Sequence, residues 1–384
     1  MPSKRQSSPA KPAPRRGPSP VDRATGILEI DLDAIVRNWR LLQAKVGKAV
    51  QCTAVVKADA YGLGMGPVAK ALAAAGCKTF FVATLEEGLA LRQALKTQEI
   101  AVLNGLLPQS ERDFLAAHLI PVLNDLSQLE TWRNLSLQQK MRPPAILHLD
   151  TGMSRLGLSP TEMAVLAGAP DRLAGVGLRA IISHLACAEE PKHAKNAEQR
   201  RLFLAARRKL PPAPASLANS SGIFLGSDFH FDFVRPGAAL YGLNPHASGT
   251  NPMAQVVRLK GRILQVRDVD RGGSVGYGAA HRMERGGRVA TVAVGYADGW
   301  FRSGSPRTTA GIGGRRAPVV GRISMDLMTF DVTGIDPALL EPGSYVDLID
   351  GESTADVVGE RSGTIGYEVL TRLGRRYRRI YAGG

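Results

Sequence analysis

Lys57 closes the apolar run Ala54-Val55-Val56 and is followed at once by Ala58-Asp59-Ala60-Tyr61-Gly62-Leu63-Gly64. A lone ammonium beside an apolar strand is costly to keep charged. Its pKa is therefore expected to fall from about 10.4, releasing an amine that can condense with a carbonyl as a Schiff base. Tyr61 stands four residues on, in a turn whose Gly62 and Gly64 let backbone and phenol close on a small anion. Other groups suit the same chemistry: Arg155 in Asp150-Thr151-Gly152-Met153-Ser154-Arg155-Leu156-Gly157, His184 in Ser183-His184-Leu185-Ala186, Ser220 after Ala218-Asn219, and Arg235 in Val234-Arg235-Pro236-Gly237-Ala238. Singly, each has an ordinary structural reading: a strand-end lysine reaching water, a rim ion pair, a core histidine, a helix cap.

The elements that must position these groups form a regular series. Short apolar runs at Val50–Lys57, Thr79–Ala83, Ile100–Leu103, Ile120–Leu123, Ala145–Leu149, Leu178–Ser183, Pro214–Ala218 and Phe231–Arg235 alternate with amphipathic segments such as Gly66–Ala75, Glu86–Leu95 and Asn196–Lys209. Ser159-Pro160-Thr161-Glu162 signs one helix start with a capping serine, a proline at the first helical position and a glutamate three residues after the cap. Eight β/α units over residues 26–255 predict an α/β fold with an N-terminal (β/α)8 barrel, the open doubly wound sheet being the alternative. A barrel gathers its chemistry at the carboxyl ends of its strands, and Lys57, Arg155, His184, Ser220 and Arg235 all fall there. The loops after the seventh and eighth strands are also where barrels bind phosphate.

Residues 256–384 change in texture. Short β-branched runs at Val256–Val266, Val289–Val294, Ala317–Val320, Met328–Val332 and Tyr345–Ile349 predict a mainly-β second domain, to which the segment 26–31 adds a strand. It carries three further motifs: Ser274-Val275-Gly276-Tyr277-Gly278, Gly321-Arg322-Ile323-Ser324-Met325-Asp326, and Ile365-Gly366-Tyr367-Glu368 at the start of the last helix.

Composition bounds the rest. The chain has 384 residues, 44% hydrophobic and 22% charged, with no apolar run near the ~20 residues of a membrane span. Three cysteines without CxxC spacing argue against disulfides and metal clusters and for a reducing, cytoplasmic setting. Part of the formal charge of +15 lies in the Pro/Ser-rich segment 1–25, which is expected to be disordered and has no secretory signal core. A second basic cluster, Arg372 to Arg379, has tyrosines interleaved, but no nucleic-acid motif precedes it, and a solvated, ion-paired surface is the expected reading.

Lys57 with Tyr61, the TGMSRLG segment, SHLA, ANSSG, RPGAALYG and the three later motifs together resemble alanine racemases, enzymes with fold-type III pyridoxal-phosphate chemistry, over Leu28 to Tyr381. The resemblance implies that Lys57 holds pyridoxal 5'-phosphate. It further implies that Tyr61, Ser220, Gly237, Ala238 and Tyr367 meet the cofactor at its phosphate, that Asn219 is among the cofactor-binding residues, that His184 packs on its ring, and that Arg235 bonds the ring nitrogen. Arginine can donate there but not protonate fully, which weakens the ring as an electron sink and favours racemisation over decarboxylation. Lys57 and Tyr277 would be the two bases, with a hydrogen-bonded line from Tyr277 through His184 to Arg235. Arg155 and Met325 would contact alanine, and Tyr277 and Met325 would enter from the second subunit of a homodimer that makes D-alanine for peptidoglycan. A broader-specificity racemase or a non-catalytic cofactor-binding protein are the alternatives. One position departs from the pattern: where many family members have a carbamylated lysine seven residues before the arginine, this chain has His148. Arg155 is then expected to be oriented by an anion, water or another acid.

Overall fold

The computed structural model describes residues 23–384, so the expectation of a disordered tail lies outside the described residues except at its end. The chain starts with strand Gly26–Asp31 and turns directly into helix Leu32–Val46, whose first turn is capped by the Asp31 carboxylate accepting from the Ala34 amide at 2.7 Å. Seven strands follow in parallel order: Ala54–Val55, Thr79–Val82, Glu99–Val102, Ile120–Leu123, Pro144–His148, Gly177–Ile182 and Ala215–Ser216. The first strand is one run broken at Thr53. Its earlier half, Gln51–Cys52, pairs in parallel with Phe233–Val234. Bonds from the Asp232 amide to the Ala215 carbonyl at 3.0 Å and from the Arg235 amide to the Ala218 carbonyl at 3.0 Å join the seventh strand to the eighth. The ladder thus returns to where it began, as a barrel requires.

Alternation along these strands decides what faces where. Val55, Phe81, Ala101, Ile120, Val122, Ile146, Ala180, Ile182 and Phe233 form the inner cluster, while Ala54, Val56, Phe80, Val82, Ile100 and Val102 belong to the large core beneath the helices. The predicted helices are Met65–Ala74, Leu85–Ala94 and Ala194–Arg207. The capping box at Ser159 and Glu162 is formed, with Pro160 opening helix Pro160–Gly168. A second box, Thr84 with Glu87, starts the helix after the Thr79–Val82 strand.

The C-terminal residues build a mainly antiparallel sheet around the long strand Val257–Val269, which pairs with Gly26–Asp31, Tyr345–Ile349 and Gly287–Val292. Gly26–Asp31 therefore does join this sheet, and Arg378–Ala382 adds in parallel on its other side. The expected strand at Ala317–Val320 is displaced to Arg315–Pro318, because it forms a tight hairpin with Thr309–Ile312, closed through Gly313 and Gly314. A further helix, Ala355–Ser362, precedes Gly366–Arg372. Much of the basic cluster is used internally. Arg376 pairs with Asp298 at 3.0 Å and Asp326 at 2.7 Å, and Arg379 donates to the carbonyls of Gly62, Leu373 and Gly374. No helix among the described residues is long and apolar enough to cross a membrane.

Candidate active site

Lys57 leaves the first barrel strand into an unusual turn. Ala58, Asp59 and Ala60 have φ of 53° and ψ near 50°, and Tyr61 has φ of 55°, so non-glycine residues complete a left-handed turn. Such a conformation costs about 1–2 kcal/mol per residue. It is held by bonds on both sides. The Glu87 carboxylate accepts from the Ala58 amide at 2.6 Å and the Ala83 amide at 2.8 Å, and Asp59 accepts from the Met65 amide at 2.7 Å. The turn swings Tyr61 across to the loop after the eighth strand, where a Cβ on Gly237 would lie 2.3 Å from the phenol oxygen. Any larger residue at 237 would force that phenol to move. Tyr241 lies 4.6 Å and Tyr367 6.2 Å from the Tyr61 ring, centroid to centroid. Burial pushes the Tyr61 phenol up and that of Tyr367 to about 12, so both stay protonated donors.

The facing loops supply more donors. Ser220 Oγ lies 3.0 Å from the Gly237 amide and 3.1 Å from the Ala239 amide, with Ala238 between them. The buried Ser221 hydroxyl has no partner among the described residues. Asn219 uses its side-chain oxygen to accept from the Gly222 amide at 2.8 Å, so it shapes this turn. Arg235 is buried, donates to Ser216 Oγ and the Ser183 carbonyl, and forms no ion pair among the described residues. Burial lowers its pKa to about 9, which still leaves it a cation.

Lys57 is half-buried. Desolvation first, and then the Arg155 guanidinium, lower its pKa, with Glu87 opposing. His184 is held well below its usual pKa by burial and by Arg235, Arg155, His148 and Lys57, so it is neutral. Arg155 sits exposed in a loop wound around Asp150, whose carboxylate accepts from the amides of Gly152 and Met153 at 2.9 Å and of Ser154 at 3.1 Å. One chain thus brings Lys57, Tyr61, Arg155, His184, Ser220, Arg235, Gly237, Ala238 and Tyr367 to the carboxyl end of the barrel.

It does not join Tyr277 or Met325 to them. These side chains are 73% and 54% exposed, on packed loops of the C-terminal sheet, and no hydrogen bond or ring contact among the described residues links them to Lys57. The line from Tyr277 through His184 to Arg235 is therefore not formed within one chain. The Met325 loop is pinned by the Ala297 amide bonding the Met325 carbonyl at 2.9 Å and the Tyr296 amide bonding the Ser324 carbonyl at 3.1 Å.

The description "Alanine racemase, N-terminal domain" matches residues 30–245, and "Alanine racemase, C-terminal domain" matches residues 256–381. The chain belongs to the alanine racemase family. It is 49% identical over 363 residues to the alanine racemase of Rhodospirillum rubrum, covering 94% of this chain and 97% of that one. It is 46% identical over 362 residues to a catabolic alanine racemase of Mesorhizobium japonicum, covering 94% of each. The crystal structure of the Bartonella henselae alanine racemase, described with covalently bound pyridoxal phosphate, superposes with a TM-score of 0.90 at 43% identity, covering 94% of this chain and 100% of that one.

Two groups that position site residues in this alanine racemase family member escaped the sequence reading. Glu87 braces the lysine turn, and its signal was the Thr84-x-x-Glu87 capping box. Asn124 bonds His148 at 2.8 Å across adjacent strands, and nothing in their spacing announces it.

Proposed function

We propose that this protein interconverts L- and D-alanine with pyridoxal 5'-phosphate, as a cytoplasmic homodimer that supplies D-alanine for the cell wall. The observation that carries the reading is the convergence of a lysine of lowered pKa with an anion cradle and a buried, unpaired guanidinium at one end of the barrel. The residues fit the cofactor. Tyr61, Tyr367 and the Ser220 hydroxyl offer O–H donors to a phosphate, Ser220 being held by the Gly237 and Ala239 amides that donate to it, and the partnerless hydroxyl of the neighbouring Ser221 is a further donor. Bound there, pyridoxal phosphate supplies an aldehyde for amines and an electron-withdrawing ring that acidifies the Cα–H bond.

The chain's own groups do the rest. Arg155 offers a guanidinium to the substrate carboxylate. Lys57, whose ammonium is made more acidic by desolvation and by Arg155, takes or returns the α-proton on one face. Arg235 donates toward the ring nitrogen and stays charged, and the neutral His184 imidazole adds no further charge to a site already holding two guanidinium cations.

Inversion needs a second base on the opposite face, and Tyr277 is the candidate. Its exposure in a single chain, together with exposed Leu156, Met325, Leu327 and Ile365, is the pattern of a surface that a second copy covers. The free cysteines agree with a reducing compartment.

The direct test incubates the holoprotein separately with L-alanine, L-serine and L-lysine and follows optical rotation. Rapid loss with alanine alone supports the reading, comparable loss with all three identifies a broader-specificity racemase, and no loss contradicts racemisation. Refolding Lys57→Ala together with Tyr277→Phe tests the shared site. Two-fold symmetric sharing restores roughly a quarter of full activity in a random mixture. Activity no higher than that of the separate variants, with mixed dimers confirmed by native mass spectrometry, rules sharing out.

A further inference from the structure

The amino end of the barrel holds a recess that racemisation does not use. Its floor is part of the inner cluster: Phe81, Ile120, Ile146, Ala180 and Phe233. A barrel interior is ordinarily filled by layers of bulky branched side chains. Here Ala180 contributes only a methyl beside its register partner Ile146, and a cavity of about 620 Å³ opens over the floor. That volume lies within the range of about 300–1,000 Å³ typical of small-molecule sites. The Phe81 and Phe233 rings are nearly parallel, with planes 13° apart and centroids 6.3 Å apart, so the floor carries a pair of aligned aromatic rings.

The rim decides the charge of an occupant. Glu99 accepts from Arg179 at 2.8 and 3.0 Å and from the Thr79 hydroxyl at 2.9 Å, and the Gln51 side chain donates to that hydroxyl at 3.0 Å. Asp232 accepts from the Ala215 amide at 2.7 Å and pairs with Arg207 at 3.5 Å. Both acids of the rim are thus committed to partners. Lys48 and Lys78 line the same mouth, are exposed, and their side chains form no hydrogen bond or ion pair among the described residues. Water solvates them, so keeping them there costs little, yet the field they set over an apolar recess is positive. A neutral or cationic occupant gains from the floor alone, whereas an anion gains from floor and rim together.

We propose that this recess is a second ligand site, separate from the catalytic end, that takes an aromatic monocarboxylate with its ring on the apolar floor and its carboxylate toward Lys48 and Lys78. The site lies at the opposite end of the barrel from Lys57, Arg155 and Arg235. A ligand held there stabilises the folded state by mass action without entering the reaction.

The test titrates the holoenzyme by calorimetry with 2-naphthoate, 2-naphthalenemethanol and 2-naphthylmethylammonium, which share one ring system and differ in charge. Saturating racemic alanine is present throughout. Already at equilibrium, it adds no reaction heat and occupies the catalytic end. Naphthoate should bind about fivefold or more tighter than the ammonium, as screened contacts to two exposed lysines allow, with the alcohol between them. Ala180→Leu fills the floor and should weaken all three by about tenfold or more. Lys48→Glu combined with Lys78→Glu changes only exposed positions and should invert the order, which keeps the proposal testable if the leucine variant does not fold. Absence of saturable naphthoate binding would overturn the site. Binding untouched by Ala180→Leu would overturn it too, because the ring would then rest elsewhere. So would an affinity for naphthoate that falls as racemic alanine is raised, since the ligand would then sit among the cations of the carboxyl end. An unchanged order in the lysine-reversed variant would overturn the anionic class of ligand.

Discussion

The two ends of the barrel treat charge in opposite ways. At the amino end, Arg179 and Glu99 face each other across the mouth in a two-point ion pair of 2.8 and 3.0 Å, and Glu99 also accepts from Thr79. At the carboxyl end, Lys57, Arg155 and Arg235 form no ion pair among the described residues. Space does not follow charge, because a cavity of about 620 Å³ opens at the amino end, lined by Phe81, Ile146, Phe233, Glu99 and Arg179. Cations left unpaired are costly to hold together unless an anion is to join them, so they are better evidence of a site than empty volume.

The largest effect that could break this comparison is expected at Lys57. Lys57→Ala should lower racemisation by about 10^3 or more, since it removes both the amine that attaches the cofactor and one base. Initial rates of rotation change in cofactor-saturated protein measure it. Tyr277→Phe should come next and be asymmetric. Exchange of the α-hydrogen of D-alanine in deuterated buffer should survive, because Lys57 serves that face, while exchange from L-alanine collapses. Equal residual exchange from both enantiomers in proton NMR would contradict a two-base site.

The amino end should respond only in stability. Glu99→Gln breaks a partly exposed pair worth about 0.5–1 kcal/mol, and should lower the melting temperature slightly with unchanged kcat/KM. Its pH dependence has a definite sign. Burial alone would raise the Glu99 pKa, but bonds from Arg179 and Thr79 bring it below the ordinary carboxylate value. The unfolded chain then binds the proton more readily, so the contribution is present above the unfolded pKa and is lost as pH falls through the folded one. Wild type should lose its advantage over the variant in acid. The smallest effect concerns His148: without a lysine there to carbamylate, added bicarbonate should leave activity unchanged, and a gain would show another lysine in that role.

What the sequence made legible was position along the strands. Lys57, Arg155, His184, Ser220 and Arg235 could be placed at strand ends because apolar alternation and the turn residues after it mark where each strand stops. The capping box at Ser159 was readable because it is local. The left-handed turn at Ala58–Tyr61 was not, since nothing in Lys-Ala-Asp-Ala-Tyr favours that conformation and the bonds that impose it come from Glu87, in the following β/α unit. The Asn124–His148 pair was hidden for the same reason, being set by the register between neighbouring strands. The hairpin that displaced the strand expected at Ala317–Val320 depends on pairing with a segment, Thr309–Ile312, whose apolar signal is weak.

Borohydride reduction of the holoprotein, followed by digestion and mass mapping of the pyridoxyl group, tests the central claim most directly. The account predicts that the label is found at Lys57, beside the unpaired cations of the carboxyl end. A label on Lys48 or Lys78, which line the cavity at the amino end, with Lys57 unmodified, would contradict it.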